Sequence, residues 1–368
     1  MKLCRFNEEG FGAMVKSEKA LFEDLRTLVI AARRRVAFSV NSEAVMMYWQ
    51  VGMRIKTNLL KDKRAAYGEA LVRKTAEFLS SEFGSGWGFQ TVRHCVRAAY
   101  TFKKQDIVYA LRTQLTWTHL RSLMAIDDPL KRQFYLEMCA HEHWSTREMD
   151  AKIDGMLFER TAISGKPEGL IKKELGKVRS EGELTPDLVF RSSYFLSLSG
   201  LRDEYSESDL EQAVLREIEA NLQELGHDFA FMGRQRRITI DQTDYKMDLL
   251  FYHRSLRRII VVDLKLGKFK PEYEGQMKLY LRYLDKNERK HWEEPPMGLI
   301  LCSEGNTEHI EYLMLDEAAK DIRVAQYYAG LPTKAVLRRK LQRAIALAQE
   351  SVRERVVDSK SNRKGARK

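Results

Sequence analysis

The chain has 368 residues, 44% hydrophobic, 10% aromatic and 31% charged. That composition excludes wholesale disorder, and the length suffices for two or three domains with at least one sizeable core. No apolar run approaches the roughly 18 residues of a membrane span, and MKLCRFNEEG lacks the apolar centre of a secretion signal; the cytoplasm is the expected compartment, with no membrane partner.

In chain order, residues 17–165 read as a helical N-terminal domain. Few glycines interrupt the run from Ser17 to Leu60, and Leu21, Leu25, Leu28 and Val29 recur at helical spacing. LVRKTAEFLSSEFG ends a helix at Gly84, GSGWGF supplies a turn, and a further helix runs from Gln90 to about Lys103. This order, with Arg93 and Arg97 exposed, fits a helix-turn-helix reader of nucleic acid or a plain helical hairpin. Residues 166–207 carry SGKPEG, SEGELTP, SLSG and DEYSESD and read as a linker, with Tyr194, Phe195 and Leu196 docking on a neighbour.

The period changes at 208. SESDLEQAVLREIEANLQELG reads as one helix over 208–225, bounded by a Ser/Asp cap and Gly226. FAFMG, RRITI, YKMDLLFY and RIIVVDLKL read as strands, PEYEGQMKLYLRYLDKNERK as a helix, MGLILCS as a strand, 306–319 as a helix and DIRVAQYYA as a last strand. Helices alternating with strands over 208–335 give an α/β domain with a mixed central sheet. Lys and Arg exceed Asp and Glu by 63 to 52, and eleven of those cations stand against three acids in Arg338–Lys368. Residues 336–368 therefore read as a basic helix and a disordered tail, either solubilising or attractive to polyanions.

The α/β domain holds the chemistry. Alternation places Ile259, Val261, Asp263 and Lys265 on one strand face. A carboxylate and an ammonium in an apolar run are costly without partners or a task. Asp248 interrupts the preceding strand in the same way, and a tight turn between the strands brings Asp248 and Asp263 together. Two close carboxylates repel, and a divalent cation relieves them by taking oxygen ligands from both. Lys265 would then stand beside the metal, able to orient a water or offset phosphate charge. On the helix over 208–225, Glu211 lies about 30° from the centre of the apolar stripe at 100° per residue, whereas Glu217 and Glu219 lie on its flanks. Glu211 is thus the candidate for the metal site's outer contact, or a dipole-favoured acid of the first turn. Gln276 and Tyr280 share a helix face and can hold a phosphate or tune Lys265.

Other clusters are set aside. Cys4, Cys95, Cys139 and Cys302 lie far apart with no CxxC pair, against a disulfide framework or a zinc ribbon. In CAHEH, residues two apart on a helix face different sides, so Cys139, His141 and His143 do not make a zinc site. His94, Cys95 and His119 read as core or polar-network residues. GSGWG lacks the GK[ST] ending and the preceding strand of a phosphate loop.

The order helix-Glu, strand-Asp, strand-Asp-x-Lys, helix-Gln-x-x-x-Tyr resembles the PD-(D/E)xK nuclease superfamily. More narrowly, the run from LGHDFAFMG to YLRYLD, followed by PPMGLILCSEGN and GLP, resembles the YhcG-type nuclease domain over about 205–335. YWQVG, YGEALV, LSSEFGSGWG, QLTWTHL and HWSTREMDAKI are similar to that family's helical, winged-helix-like N-terminal domain. The resemblance implies a restriction-endonuclease-like fold and a nuclease dependent on Mg²⁺ or Mn²⁺. In it Asp248 and Asp263 match the metal-binding acids, Lys265 the catalytic lysine, and Gln276 with Tyr280 the supporting helix pair. Glu211 fits the helix acid, in contact with a metal-linked water. The family pattern has Glu where this chain has Asp263, and the superfamily motif admits either. DNA is the expected substrate in preference to RNA, with branched or recombining forms suggested by analogy with junction resolvases. The helical domain, through Trp87, Trp117 and nearby arginines, and the basic tail are expected to hold it. The alternative is a catalytically silent nucleic-acid-binding or assembly protein, homo-oligomeric assembly being compatible with both; the intact Asp248, Asp263 and Lys265 set favours the enzyme.

Overall fold

The computed structural model describes residues 8–59, 65–198, 206–304 and 321–329, which fall into two compact units, Met1–Asp127 and Asp128–Lys368. The first unit is helical: α1 (Glu8–Leu59), α2 (Ala65–Phe83), α3 (Phe89–Thr101), α4 (Lys104–Arg112) and α5 (Trp117–Met124). The C-terminal part of α1 packs on α3, where Gly52 permits the approach: a Cβ there would lie 1.9 Å from the Cys95 carbonyl oxygen. Val45, Trp49 and Ile55 of α1 are buried. Trp49 Nε1 donates to the Phe102 carbonyl at 3.2 Å, and Asn41 Nδ2 to that of Leu115 at 3.2 Å. The glycine-rich turn is a short 3₁₀ segment, Ser85–Trp87, entered through Gly84 at φ 90°. The helix–turn–helix order is therefore present. Among the described residues of this unit there is no strand. Trp87 and Trp117 are half-buried with Tyr48 between them, at 5.4 and 4.8 Å between ring centres. His119 is buried and its Nδ1 accepts from the Thr116 N–H, a capping role within the fold.

The second compact unit starts with α6 (Pro129–Glu142), α7 (Thr146–Asp154) and α8 (Leu157–Arg160). Within the stretch read as a linker, 166–207, the described residues hold α9 (Glu168–Glu181), α10 (Pro186–Val189) and β1 (Ser193–Leu196). Its turn residues mark element ends rather than loose chain: Gly182 closes α9 in the left-handed region, and Pro186 opens α10. A buried ionic cluster centred on Glu224 ties this segment to the helical stretch that precedes β2. Arg160 Nη1 lies 2.5 Å from Glu224 Oε1, and Arg191 Nη1 lies 2.9 Å from Glu224 Oε2. The Arg160 guanidinium also sits over the Phe195 ring at 4.1 Å.

The expected single helix over 208–225 is two, α11 (Glu207–Arg216) and α12 (Ile218–Leu225), broken at Glu217. Buried Asn221 explains the break, since its Nδ2 donates to the Val214 carbonyl and so satisfies the end of α11. The remaining elements are β2 (Phe229–Ile240), β3 (Thr243–His253), β4 (Arg258–Lys265), α13 (Pro271–Asn287), β5 (Met297–Cys302) and β6 (Ile322–Ala329). FAFMG and RRITI form one strand with a bulge between Phe231 and Gly233. The sheet order is β1-β6-β5-β4-β3-β2, with β2–β3–β4 antiparallel and β4–β5–β6–β1 parallel. Tyr194 and its neighbours thus form an edge strand of this sheet. Ile259, Val261, Ile300 and Val324 face Met277, Tyr280 and Leu284 of α13 in one core cluster. Their alternates Ile260, Val262, Leu264 and Leu299 are equally buried, as a parallel sheet covered on both faces requires. The helix expected at 306–319, Cys4, and the basic helix and tail over 336–368 lie outside the described residues. No helix among the described residues is long and apolar enough to cross a membrane.

Candidate active site

The site lies where β3 and β4 stop pairing. Their last paired residues are Leu249 and Val262, so the next step of the register sets Asp248 opposite Asp263. There the ladder gives way to a side chain: the Leu264 N–H donates to Asp248 Oδ2 at 2.9 Å. β4 continues alone alongside β5, with Asp263 level with Ile300 and Lys265 level with Cys302. This places a carboxylate and an ammonium at the C-terminal end of a central strand, 1% and 8% exposed.

Lys265 Nζ is 3.0 Å from Asp263 Oδ2. The contact is an ion pair without hydrogen-bond angles, and Asp263 Oδ2 has no hydrogen-bond partner. Burial first, then the Asp248 charge, push the Asp263 carboxyl up to about 7, with Lys265 opposing. Burial alone would lower the Lys265 ammonium, but the charges of Asp263, Asp248 and Glu207 outweigh it and hold the pKa above its ordinary value. Two facing carboxylates, one of them almost fully buried, form a hard-oxygen donor set that fits a divalent cation.

Helix α13 fixes the floor of the site. Tyr280 is fully buried; its hydroxyl donates to the Lys246 carbonyl at 2.8 Å and accepts from Gln276 Nε2 at 2.6 Å. The expected Gln–Tyr pair is therefore one bonded unit anchored to β3. Burial and then the Asp263 charge push the Tyr280 phenol up to about 12, so it stays a neutral donor. Lys265 Nζ also lies 5.2 Å from the centre of the Tyr273 ring, near the start of the same helix.

Glu211 is buried at 4% exposure, as the helical wheel indicates. It does not join the aspartates as a third direct ligand. Among the described residues no three His, Cys, Asp or Glu side chains converge on one metal position. Gln235 takes Glu211 instead: its Nε2 donates to Glu211 Oε2 at 2.6 Å, while Oε1 is buried without a hydrogen-bond partner. Gln235 stands in the left-handed region at φ 49°, and the β2–β3 register puts it level with Asp248. Glu217 is the half-buried residue at the break between α11 and α12. The described part of Glu219 is its backbone only.

One further acid near the site is one that the helical pattern did not single out. Glu207 Oε1 accepts from the Leu266 N–H at 3.2 Å, and its charge helps keep Lys265 protonated. It stands one turn before Glu211, and the signal was the spacing itself, four residues on one face. The clusters set aside earlier have structural roles. Burial drives the Cys139 thiol up to about 12, His143 ends α6 in the left-handed region, and His141 lies near Ser255 and Asp228. Cys95, Cys139 and Cys302 are free and buried.

Residues 187–342 match the family described as the YhcG PDDEXK nuclease domain, and residues 24–160 match the DUF1016 N-terminal domain. A curated protein of Escherichia coli (strain K12), named "Putative nuclease YhcG", is 30% identical over 362 residues, 89% of this chain and 94% of its own length. The chain belongs to the YhcG family. Its second unit thus carries a PDDEXK nuclease domain, and the helical region followed by a mixed sheet is the architecture of that family here. Among solved structures, a repair endonuclease from Pyrococcus abyssi matches at 20% identity with a TM-score of 0.25, over 36% of this chain and 50% of that one.

Proposed function

We propose that this YhcG-family chain is a metal-dependent nuclease that hydrolyses phosphodiester bonds in cytoplasmic DNA, with Asp248, Asp263 and Lys265 as its reacting centre. The observation that carries the reading is the facing aspartate pair with Lys265 alongside, in a domain of nuclease family. Asp248 and Asp263 would hold Mg²⁺ or Mn²⁺. Such a cation supplies positive charge toward the scissile phosphate and acidifies water near neutral pH. Lys265, kept protonated by three acids, orients the attacking water or offsets charge that develops on the phosphate. Gln276 and Tyr280 fix the spacing between β3 and α13, and Glu207 and Glu211 line the α11 side. Branched or recombining DNA is one substrate form within this proposal, on analogy of fold alone.

The test is cleavage of labelled linear duplex, single strand, fork, four-way junction and RNA with Mg²⁺, Mn²⁺ or EDTA. Asp263→Ala and Lys265→Ala proteins of verified fold run in parallel. Cutting that needs metal and disappears in both variants supports the proposal and ranks the substrates. Binding without cutting in either metal would replace it with the reading of a silent nucleic-acid-binding protein.

A further inference from the structure

Helix α1 spans 52 residues, and Asn41, Trp49 and Lys56 bond its C-terminal part into its own unit. N-terminal to Asn41, every side chain the structure describes is exposed: 25–30, 36, 39 and 40. Several are large and apolar, with Leu28, Val36 and Val40 each 64% exposed, Val29 51% and Leu25 48%. Scattered apolar residues on a surface mean little, but these follow a pattern. At 100° per residue, Leu25, Leu28, Val29, Val36, Val40 and Met47 fall within an arc of about 120°. Val45, Trp49, Gly52 and Ile55, which face the rest of the unit, lie on the opposite side of the helix. α1 therefore has two apolar faces: one is used within the chain, and the other is uncovered. Helical stability in water comes mainly from packing of an apolar face, so the uncovered face is one that a partner would stabilise.

The distribution of charge along the same segment names the partner. Glu18, Glu23 and Asp24 precede the apolar centre at Leu28 and Val29, and Arg33, Arg34 and Arg35 follow it. A parallel pair of such helices would set arginines against arginines and acids against acids. An antiparallel pair centred between Leu28 and Val29 brings each acidic turn level with the other helix's arginine turn. It also sets Leu21 level with Val36 and Leu25 level with Ala32, so the apolar pattern is self-complementary. We propose that residues 17–40 of α1 pair antiparallel with the same segment of a second copy of this chain. The paired length is about 36 Å at 1.5 Å per residue, enough for a two-fold interface of ordinary size.

The experiment is light scattering and sedimentation equilibrium of the full chain over a concentration series, independent of nuclease activity. The expected species has twice the 42.9 kDa of one chain. Leu28→Glu with Val36→Glu is expected to raise the dissociation constant at least about 100-fold, since two charges enter an apolar seam on each helix. Both positions are solvent-exposed within the single chain, so the thermal transition of the core should not move. Orientation is read by oxidation in a Cys4→Ser background. Leu28→Cys cross-links between copies, whereas Val36→Cys does not, its counterpart lying about 22 Å away along the helix pair. A monomeric wild type at micromolar concentration, or a dimer untouched by the two glutamates, would overturn the proposal. Efficient cross-linking through Val36→Cys would overturn the antiparallel arrangement.

Discussion

Replacing Asp263 with Asn should make the metal-free protein more stable while abolishing its cleavage. Asp263 is 1% exposed, its Oδ2 lacks a hydrogen bond, and burial followed by the Asp248 charge raises its carboxyl from 3.8 to about 7. With the folded pKa above the unfolded value, the folded chain holds a proton that the unfolded chain gives up. Stability therefore falls as pH rises from about 4 to about 7, and the loss is complete above that window. Three units correspond to roughly 4 kcal/mol; local relaxation and the coupling to Asp248 make about 2 kcal/mol the expected gain. Asn cannot ionise, so the gain appears at pH 8 and vanishes by pH 4. Urea unfolding in EDTA at both pH values reads it. Adding Mg²⁺ or Mn²⁺ should stabilise wild type by mass action and leave Asp263→Asn unmoved. An Asp263→Asn protein no more stable than wild type at pH 8 would refute the claim that the pair repels and that a cation relieves it.

Gly52→Ala sets a Cβ 1.9 Å from the Cys95 carbonyl oxygen, and backbone cannot swing aside; a loss of about 3 kcal/mol or more is expected in thermal unfolding of the first unit. Glu224→Gln leaves the Arg160 and Arg191 guanidiniums, with 3% and 5% of their side chains exposed, without a full counter-charge. The cost should be about 3 kcal/mol in urea unfolding, and a smaller loss than with Glu224→Ala would identify the surviving hydrogen bonds. Tyr280→Phe removes both bonds of the phenol, so Gln276 loses its anchor. Cleavage is expected to fall about tenfold with metal affinity nearly unchanged, and a loss confined to metal affinity would place the tyrosine closer to the cation than to the frame.

The α/β part of the fold could be read from sequence because its strands are short apolar runs with polar turns, and because Asp248, Asp263 and Lys265 break those runs at meaningful places. The segment 166–207 could not, for a definite reason. Gly182, Pro167 and Pro186 are strong turn signals, yet each stands at the end of a helix that needs such a residue there. Between them, α9 buries Ile171, Leu175 and Val178 at helical spacing, a period that turn residues on either side obscured. β1 is four residues long, and its pairing partner, β6, lies more than 120 residues away in sequence. Such an edge strand has no local signature, because its hydrogen bonds come from a remote element.

The helix acid shows where pattern reasoning stops and geometry begins. A helical wheel ranks residues by direction about one axis, and it rightly found Glu211 turned inward. It carries no information on which part of the neighbouring strand lies opposite each turn. β4 outruns β3, so the strand end that carries Lys265 and Leu266 extends to the first turn of α11, where Glu207 stands. Glu211, one turn later, meets β2 instead, at the one strand residue whose φ of 49° sets it off the regular ladder. Gln235 in that conformation costs about 1 kcal/mol or more of backbone strain, which the 2.6 Å bond to a buried carboxylate offsets. The two acids thus have separate partners: Glu207 accepts from the Leu266 N–H next to the lysine, and Glu211 accepts from Gln235 of β2. The division follows from strand lengths, a quantity that no single-helix pattern contains.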